Sequence, residues 1–183
     1  AYQDLEDEFA RSAALVDLPP EKILQRGSGW GALERRRRAL DGQRVFVPAG
    51  LLFDDRSLSE EQEPWLRLMQ DGAFPQSSPQ EPPSSFMVQA EWRLRLEEAV
   101  QQTGSTNWLA WYHLGNMRFY AGEREPSRQA WESSLACERT PWALRNLALL
   151  AGETGNLDTG AEHYLAAVRM KPHLLPLVVE AGR

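Results

Sequence analysis

Three glycines and four arginines stand close together in the stretch GSGWGALERRRR, residues 27–38. Glycines ahead of a helix can bring backbone N–H groups up to a phosphate, and arginines behind them could hold its charge. A dinucleotide-binding fingerprint, however, needs Gly-x-Gly-x-x-Gly between a strand and a helix, and a P-loop ends in Gly-Lys-Ser/Thr. Here the spacing is Gly27, Gly29 and Gly31, no lysine follows, and the preceding PEKILQR has a helical pattern.

The glycine stretch therefore predicts a corner between two helices. Gly27 would end the first helix in a left-handed conformation, and Ser28 with the later glycines would begin the next. Trp30 would fold back onto the domain as an anchor. A phosphate-binding loop stays open as the alternative.

The four arginines at 35–38 do not form a basic groove. Four consecutive helical residues at about 100° each span roughly 300° of arc, so they point in too many directions. Glu34 and Arg38 are spaced for an i,i+4 ion pair. We predict a solvated helix face, and the alternative is docking onto an acidic partner. With 20 basic against 26 acidic residues and a net charge of −6, sequence-independent nucleic-acid binding is not expected.

Residues that could support catalysis or bind a metal are sparse. His113, His163 and His173 show no HExxH spacing and no CxxC partner, which argues against a metal site. Cys137, the single cysteine, is expected to be an inert core thiol, and one cysteine fits a reducing cytoplasm. No nucleophile-elbow pattern occurs. We predict a non-catalytic protein with no metal and no cofactor.

No signal-peptide pattern is visible at the N-terminus. The N-terminal AYQDLEDEF is acidic, and no apolar run reaches the roughly 18–20 residues of a membrane span. We expect a cytoplasmic protein without membrane contact. The absent initiator methionine and the apolar C-terminal LLPLVVEAGR indicate a fragment of a longer chain.

Helical periodicity dominates the elements that would position these residues, and it predicts an all-α fold. Apolar residues at three- and four-residue steps predict a helix over 3–16, followed by a short helix from Pro20 to Gln25 and another over 31–40. The β-flavoured RVFVPAGLLF, residues 44–53, is interpreted as an extended loop because Pro48 and Gly50 interrupt it.

A second set of signals organises the middle of the chain. Ser59 and Gln62 have capping-box spacing and open a helix that ends at Gly72. Residues 73–85, AFPQSSPQEPPSS, are rich in proline and serine and predict a linker. We place the domain boundary there, with a helical N-terminal region at 1–85 and a regular helical array at 86–183.

A 33-residue internal repeat is visible in that array. WYHLGNMRFYAGEREPSRQAWESSLA, residues 111–136, aligns with LRNLALLAGETGNLDTGAEHYLAAVR, residues 144–169. The aligned pairs are Leu114 with Leu147, Gly115 with Ala148, Gly122 with Gly155, Trp131 with Tyr164, and Ser134 with Ala167. Small residues let paired helices approach closely, and the aromatic residues fill the space between successive pairs.

This pattern resembles the tetratricopeptide repeat (TPR), although Arg118, Ser127 and Gly160 depart from the residues usual in that family. The resemblance implies helix-turn-helix repeats over 108–140 and 141–174 and the start of a third pair over 175–183. The helix at 86–102 would cap the array.

The resemblance also implies a peptide-binding groove lined by the first helix of each pair. The implied groove residues are Leu109, Tyr112, Asn116, Phe119, Trp142, Arg145, Asn146 and Leu149. Asparagine amides offer a peptide backbone both a donor and an acceptor, and Arg145 could receive a carboxylate. A full carboxylate clamp is not expected, because Tyr112 replaces a family lysine and the third repeat offers Pro176 and Glu180. Alternatively, Tyr112, Phe119 and Trp142 only pack against the linker or the N-terminal helices, or the N-terminal 85 residues fill the groove.

A second resemblance covers the whole chain. The order of GSGWGALE, PWLRLM, MVQAEW, NWLAWYHLG and RTPWALRNLALLAGE is similar to the C-terminal region of large bacterial TPR proteins. In those proteins the region follows a β-sandwich of galactose-mutarotase type. The resemblance implies a module for protein–protein interaction or scaffolding, and the alternative is structural support of a neighbouring carbohydrate-binding or glycoside-processing domain. The expected partner is a protein, a peptide or another domain of the same protein, with a homodimer through 174–181 as a further option.

Overall fold

The structure, a computed structural model, describes residues 25–26, 29–45, 51–102 and 106–182. Within these ranges the regular secondary structure is helical apart from a parallel pair of two-residue strands, which confirms the all-α class. The strands are β1 (Gln25–Arg26) and β2 (Leu51–Leu52), and a 3₁₀ turn spans Asp55–Ser57. The helices are α1 (Gly29–Leu40), α2 (Glu63–Asp71), α3 (Ala90–Gln102), α4 (Trp108–Tyr120), α5 (Arg124–Cys137), α6 (Pro141–Glu153), α7 (Leu157–Met170) and α8 (Leu175–Ala181).

The chain divides into two compact units, Ala1–Glu63 and Pro64–Arg183. We predicted a boundary after residue 85. The helix predicted over 3–16 lies outside the described residues, as do Gly27 and Ser28. Among the described residues, no helix combines the length and the apolar character needed to cross a bilayer.

In the first unit, the glycines at the start of α1 serve close packing. A Cβ atom on Gly31 would lie 2.1 Å from the ring of Phe53, and one on Gly29 would lie 2.2 Å from Gln62 Oε1. The two glycines therefore let Phe53 and Gln62 approach the helix closely. The helix begins at Gly29, whereas the periodicity predicted its start at Gly31.

What precedes α1 differs from the prediction. Gln25 was predicted to lie in a helix, but it pairs in parallel with Leu51, and Arg26 pairs with Leu52. The second strand falls inside the run that was interpreted as a loop. Both predictions are wrong at these residues, because a two-residue strand leaves no periodic pattern and its pairing is set by a partner distant in sequence.

The arginine run is neutralised by carboxylates of the same unit. Asp55 forms ion pairs with Arg35 at 2.6 Å and with Arg36 at 2.7 Å. The predicted pair between Arg38 and Glu34 is present at 2.8 Å. Arg37 departs from the predicted solvated face: it is buried, and it pairs with Glu34 at 2.7 Å and Asp41 at 2.8 Å.

We expect Arg37→Met to destabilise the first unit by about 3 kcal/mol, because it leaves two partly buried carboxylates without their shared cation. Arg38→Met, the adjacent half-exposed position, should cost no more than about 0.5 kcal/mol. Urea unfolding of both variants, followed by far-UV circular dichroism, measures the difference. Equal losses in the two variants would contradict the structural role of Arg37.

The second unit contains two helical hairpins of matched dimensions, α4–α5 and α6–α7. Their bounds are offset by 33 residues throughout: 108 to 141, 120 to 153, 124 to 157 and 137 to 170. Gly122 and Gly155 occupy equivalent turns with φ of 83° and 77°, a left-handed conformation that favours glycine. Asn107 caps α4 through Leu109 N at 3.1 Å, and Thr140 caps α6 through Ala143 N at 3.4 Å.

The hairpins stack in chain order. Helix α3 packs on α4, α5 packs on α6, and α8 packs on α7. Trp131 of α5 is buried with Ala143, Leu147 and Leu150 of α6. A second cluster joins Leu144, Ala167 and Leu177, so α8 extends the core by one buried leucine.

The close approach of α4 to α5 depends on Gly115. A Cβ atom there would lie 2.3 Å from Nε1 of Trp131 and 2.4 Å from its Cδ1. The second hairpin carries Ala148 and the half-buried Tyr164 at the corresponding positions. The first hairpin therefore combines a glycine with a tryptophan at these positions, and the second combines a larger alanine with a smaller tyrosine.

The segment 73–85, predicted as a linker, belongs to the second unit and is hydrogen-bonded to other residues of it. The indole of Trp65 donates to Ser85 O at 2.9 Å, and that of Trp108 donates to Ser77 O at 2.9 Å. The Asn107 amide donates to Phe74 O at 2.7 Å. Buried donors thus find their acceptors in a stretch whose four prolines lack N–H groups but keep their carbonyls. Residues 86–89 continue this stretch, and the predicted capping helix begins at Ala90.

His113 lies fully buried beneath this segment. Its ring contacts those of Trp65, Phe74 and Tyr112 at centroid distances of 5.5, 5.3 and 5.5 Å. Nε2 lies 3.1 Å from Ser84 Oγ, while Nδ1 is buried with no hydrogen-bond partner in the described part of the chain. Burial lowers the pKa of His113 to about 3, so the imidazole is neutral.

Candidate functional site

A cavity of about 500 Å³ opens on the second unit where the two hairpins meet. It is lined by Phe86, Tyr112, Asn116, Phe119, Tyr120, Gly122, Arg124, Trp131, Arg145, Asn146 and Leu149. Helices α4 and α6, the first helices of the two hairpins, supply most of these residues. We call this cavity the groove cavity.

Six of the eight implied groove residues line the groove cavity: Tyr112, Asn116, Phe119, Arg145, Asn146 and Leu149. The other two do not. Leu109 is buried in the core, and Trp142 is half-buried with its Nε1 atom buried and unpaired among the described residues. Tyr112 and Phe119 line the cavity and also pack against the cluster around Trp131.

Two asparagines connect the hairpins at the floor of the cavity. Asn116 Oδ1 accepts from Trp131 Nε1 at 3.1 Å and from Asn146 Nδ2 at 2.8 Å. Because Oδ1 is occupied twice, the Asn116 side chain has its two amide hydrogens left to offer. Asn146 uses one of its two amide hydrogens, and its Oδ1 accepts from Arg145 Nη1 at 3.3 Å. The floor is therefore richer in donors than in acceptors, which suits a backbone carbonyl.

Arg145 connects the cavity to α8. Its Nε donates to Glu180 Oε2 at 2.6 Å and its Nη2 to Glu180 Oε1 at 2.7 Å, a bidentate pair between α6 and α8. These hydrogen bonds are the main cause of a pKa for Arg145 above its ordinary value. The carboxylate that Arg145 was expected to receive is thus supplied by the chain itself.

A second arginine closes the rim near the turn of the first hairpin. The Arg124 guanidinium lies 4.1 Å from the centre of the Phe119 ring, and its Nη1 donates to Phe119 O at 2.9 Å. Glu153 lies 3.0 Å from Arg124 Nε. This contact fixes the Phe119 ring as one wall of the cavity.

The lining as a whole suits a ligand with apolar and electron-rich groups. Five aromatic side chains and Leu149 supply the surface, the only charged groups among the lining residues are Arg124 and Arg145, and none of the lining residues is acidic. Phe86, Tyr120 and Leu149 are well exposed at the rim. Such a cavity can bury an aromatic or aliphatic side chain while the asparagines bond its backbone.

Sequence reasoning missed Phe86, Tyr120, Gly122, Arg124 and Trp131 as lining residues. Tyr120, Gly122 and Arg124 flank the turn that follows the first groove helix, so the repeat pattern could have indicated them. Phe86 had no local signal, since its place depends on how the segment before α3 folds back.

Groups that could do covalent chemistry are poorly placed. The Ser84–His113 pair has no carboxylate on Nδ1, and an imidazole with a pKa of about 3 is a weak base. Burial raises the pKa of the Cys137 thiol, which lowers its reactivity. No three His, Cys, Asp or Glu side chains of the described ranges come together as metal ligands.

Comparison of the sequence with models of known protein families gave no match, and comparison with curated proteins gave none either. The interpretation of the groove cavity therefore rests on its geometry and chemistry.

Proposed function

We propose that the second unit is a non-catalytic interaction module whose groove cavity binds an extended peptide segment. The observation that carries this proposal is the groove cavity itself, where two asparagines with unused amide hydrogens lie among five aromatic side chains. The segment would belong to a partner protein or to another domain of the same protein.

We further propose that the two hairpins are TPR-type repeats within a larger bacterial protein. The constant 33-residue offset of all four helix bounds and the equivalent positive-φ glycines support this assignment. The homodimer through 174–181 stays a prediction, and α8 leaves Leu175, Val178 and Val179 exposed.

Leu149→Glu tests the proposed function. Leu149 is partly exposed at the cavity rim, so the substitution leaves the core intact and places a charged side chain where a ligand side chain would be buried. We expect peptides selected from a phage-displayed random library on the wild-type chain to lose at least about tenfold in affinity, a loss of about 1.4 kcal/mol. Fluorescence anisotropy with the synthetic peptides measures the loss.

Leu165→Glu is the matched control, because Leu165 is an exposed leucine of α7 that does not line the groove cavity. It should bind the selected peptides like the wild type. If both variants retain full affinity, or if no peptide is selected, the proposed function is wrong.

A further inference from the structure

Arg145 is the side chain of the groove cavity best suited to bind an anion, and it is already paired with a carboxylate of the same chain. The bidentate face of Arg145 is occupied by both oxygens of Glu180, at 2.6 and 2.7 Å, and the remaining Nη1 donates to Asn146. The planar guanidinium of Arg145 makes two hydrogen bonds to the planar carboxylate of Glu180. A ligand carboxylate would bind the same arginine with the same geometry. Glu180 thus stands where such a ligand group would bind.

Helix α8 buries few of the side chains that the structure describes. Among its side chains that the structure describes, only Leu177 is buried, in the cluster with Leu144 and Ala167. Leu175, Val178 and Val179 are exposed. A short helix that buries so few of its described side chains lies at the low-stability end of a structure, where local opening costs least.

The charges around Arg145 also favour the binding of an anionic ligand once Glu180 has moved away. No acidic side chain lies among the residues that line the groove cavity, and its two charged groups are both arginines. The guanidinium is less than half exposed, so an incoming carboxylate would meet a cation that water screens only in part.

We propose that Glu180 is an internal competitor for the groove cavity, so that a peptide bearing a carboxylate binds Arg145 only by displacing α8. This inference rests on the proposed function, and it adds a charge selectivity to it. With α8 docked, the cavity takes neutral apolar segments; with α8 released, it takes acidic ones. The affinity for an acidic peptide is lowered by the fraction of molecules in which α8 is docked.

Glu180→Gln is the direct test, because glutamine keeps the size of the side chain and removes the charge that competes. Random peptides displayed on phage are selected on the Glu180→Gln variant, and each selected peptide is made in two forms: one with its carboxylates and one with the corresponding amides. We expect the carboxylate form to bind Glu180→Gln about tenfold more tightly than the wild type, as for a helix docked in nine molecules of ten. The amide form should bind both equally.

Glu162→Gln removes the same charge from an exposed position of α7 and should bind like the wild type. Hydrogen exchange gives a second readout: the carboxylate peptide should accelerate exchange of the α8 amides in the wild type, and the amide peptide should not.

The outcomes separate the two proposals. If peptides bind in a manner that Leu149→Glu abolishes but Glu180→Gln brings no gain for the carboxylate form, the competitor role is overturned and the groove function stands. Unchanged α8 exchange at saturating carboxylate peptide has the same meaning. If no selected peptide depends on Leu149, the proposed function fails and the competitor role fails with it.

Discussion

Gly115→Ala should destabilise the second unit by about 2 kcal/mol, although alanine is the better helix former. The added methyl group would lie 2.3 Å from Trp131 Nε1, well inside van der Waals contact, and both residues are buried between α4 and α5. The indole cannot retreat freely, since Nε1 donates to Asn116 Oδ1 at 3.1 Å and Tyr112 O at 3.2 Å. Overpacking of this kind costs about 1–3 kcal/mol or more, which exceeds the helix-propensity gain of about 1 kcal/mol. Urea unfolding monitored by tryptophan fluorescence measures the result.

Gly152→Ala provides the control, because nothing lies within 4 Å of a Cβ atom at that helical position. It should stabilise the unit by about 0.5–1 kcal/mol, the propensity gain alone. A double-mutant cycle sharpens the test: Gly115→Ala should cost less in a Trp131→Tyr background, which reproduces the alanine and tyrosine of the second hairpin. A stabilised Gly115→Ala variant, or a cycle without coupling, would refute the packing role.

Acid should weaken the second unit well above the pH at which carboxylates titrate. His113 has a pKa of about 3 in the folded chain because of its burial, against an ordinary value of 6.5. The unfolded chain therefore takes up a proton that the folded chain excludes. Stability is complete above pH 6.5 and falls as the pH drops toward 3, by about 1.4 kcal/mol per pH unit in the middle of that range.

The window between pH 6.5 and 5 isolates this effect, since unfolded aspartates and glutamates take up protons only at lower pH. Urea unfolding of the wild type across the window should show the loss, and His113→Leu should remove it. His113→Gln serves the same purpose if leucine fits badly beside Ser84. His173→Gln, at an exposed histidine, should keep the wild-type slope. A slope that survives in both His113 variants would show that another group excludes the proton.

Features encoded by short-range signals were predictable from the sequence. The repeat predicted the positions of α4 to α7. Its turn glycines, Gly122 and Gly155, were identified by their spacing and adopt a positive φ. The capping-box bond is present as well, with Ser59 N donating to Gln62 Oε1 at 3.0 Å, although α2 begins only at Glu63. In each case the residue type reports a local backbone geometry, so no knowledge of distant contacts was needed.

Features that depend on distant partners were not predictable. Arg37 looked like one of four equivalent surface arginines, and its burial, which is set by tertiary packing, distinguishes it from them. Arg145 was recognised as a carboxylate receptor, but its occupation by Glu180 requires α8 to fold back on α6. Phe86 reaches the groove cavity through a segment without periodicity. Helical patterns indicate which face of a helix is buried, whereas they do not indicate which loop covers it.

The hydrogen bonds to the segment 73–85 bear on how short a stable piece of this chain can be. A polypeptide starting at residue 86 keeps both hairpins but deprives the Trp108 indole and the Asn107 amide of their acceptors at Ser77, Phe74 and Pro75. It also removes the Trp65 ring from the cover over His113. The truncation also uncovers apolar rings that the segment buries, which lowers a stability of only about 5–15 kcal/mol in a typical domain. We therefore expect a polypeptide that begins near Pro64, where the second compact unit begins, to be more stable than one that begins at residue 86.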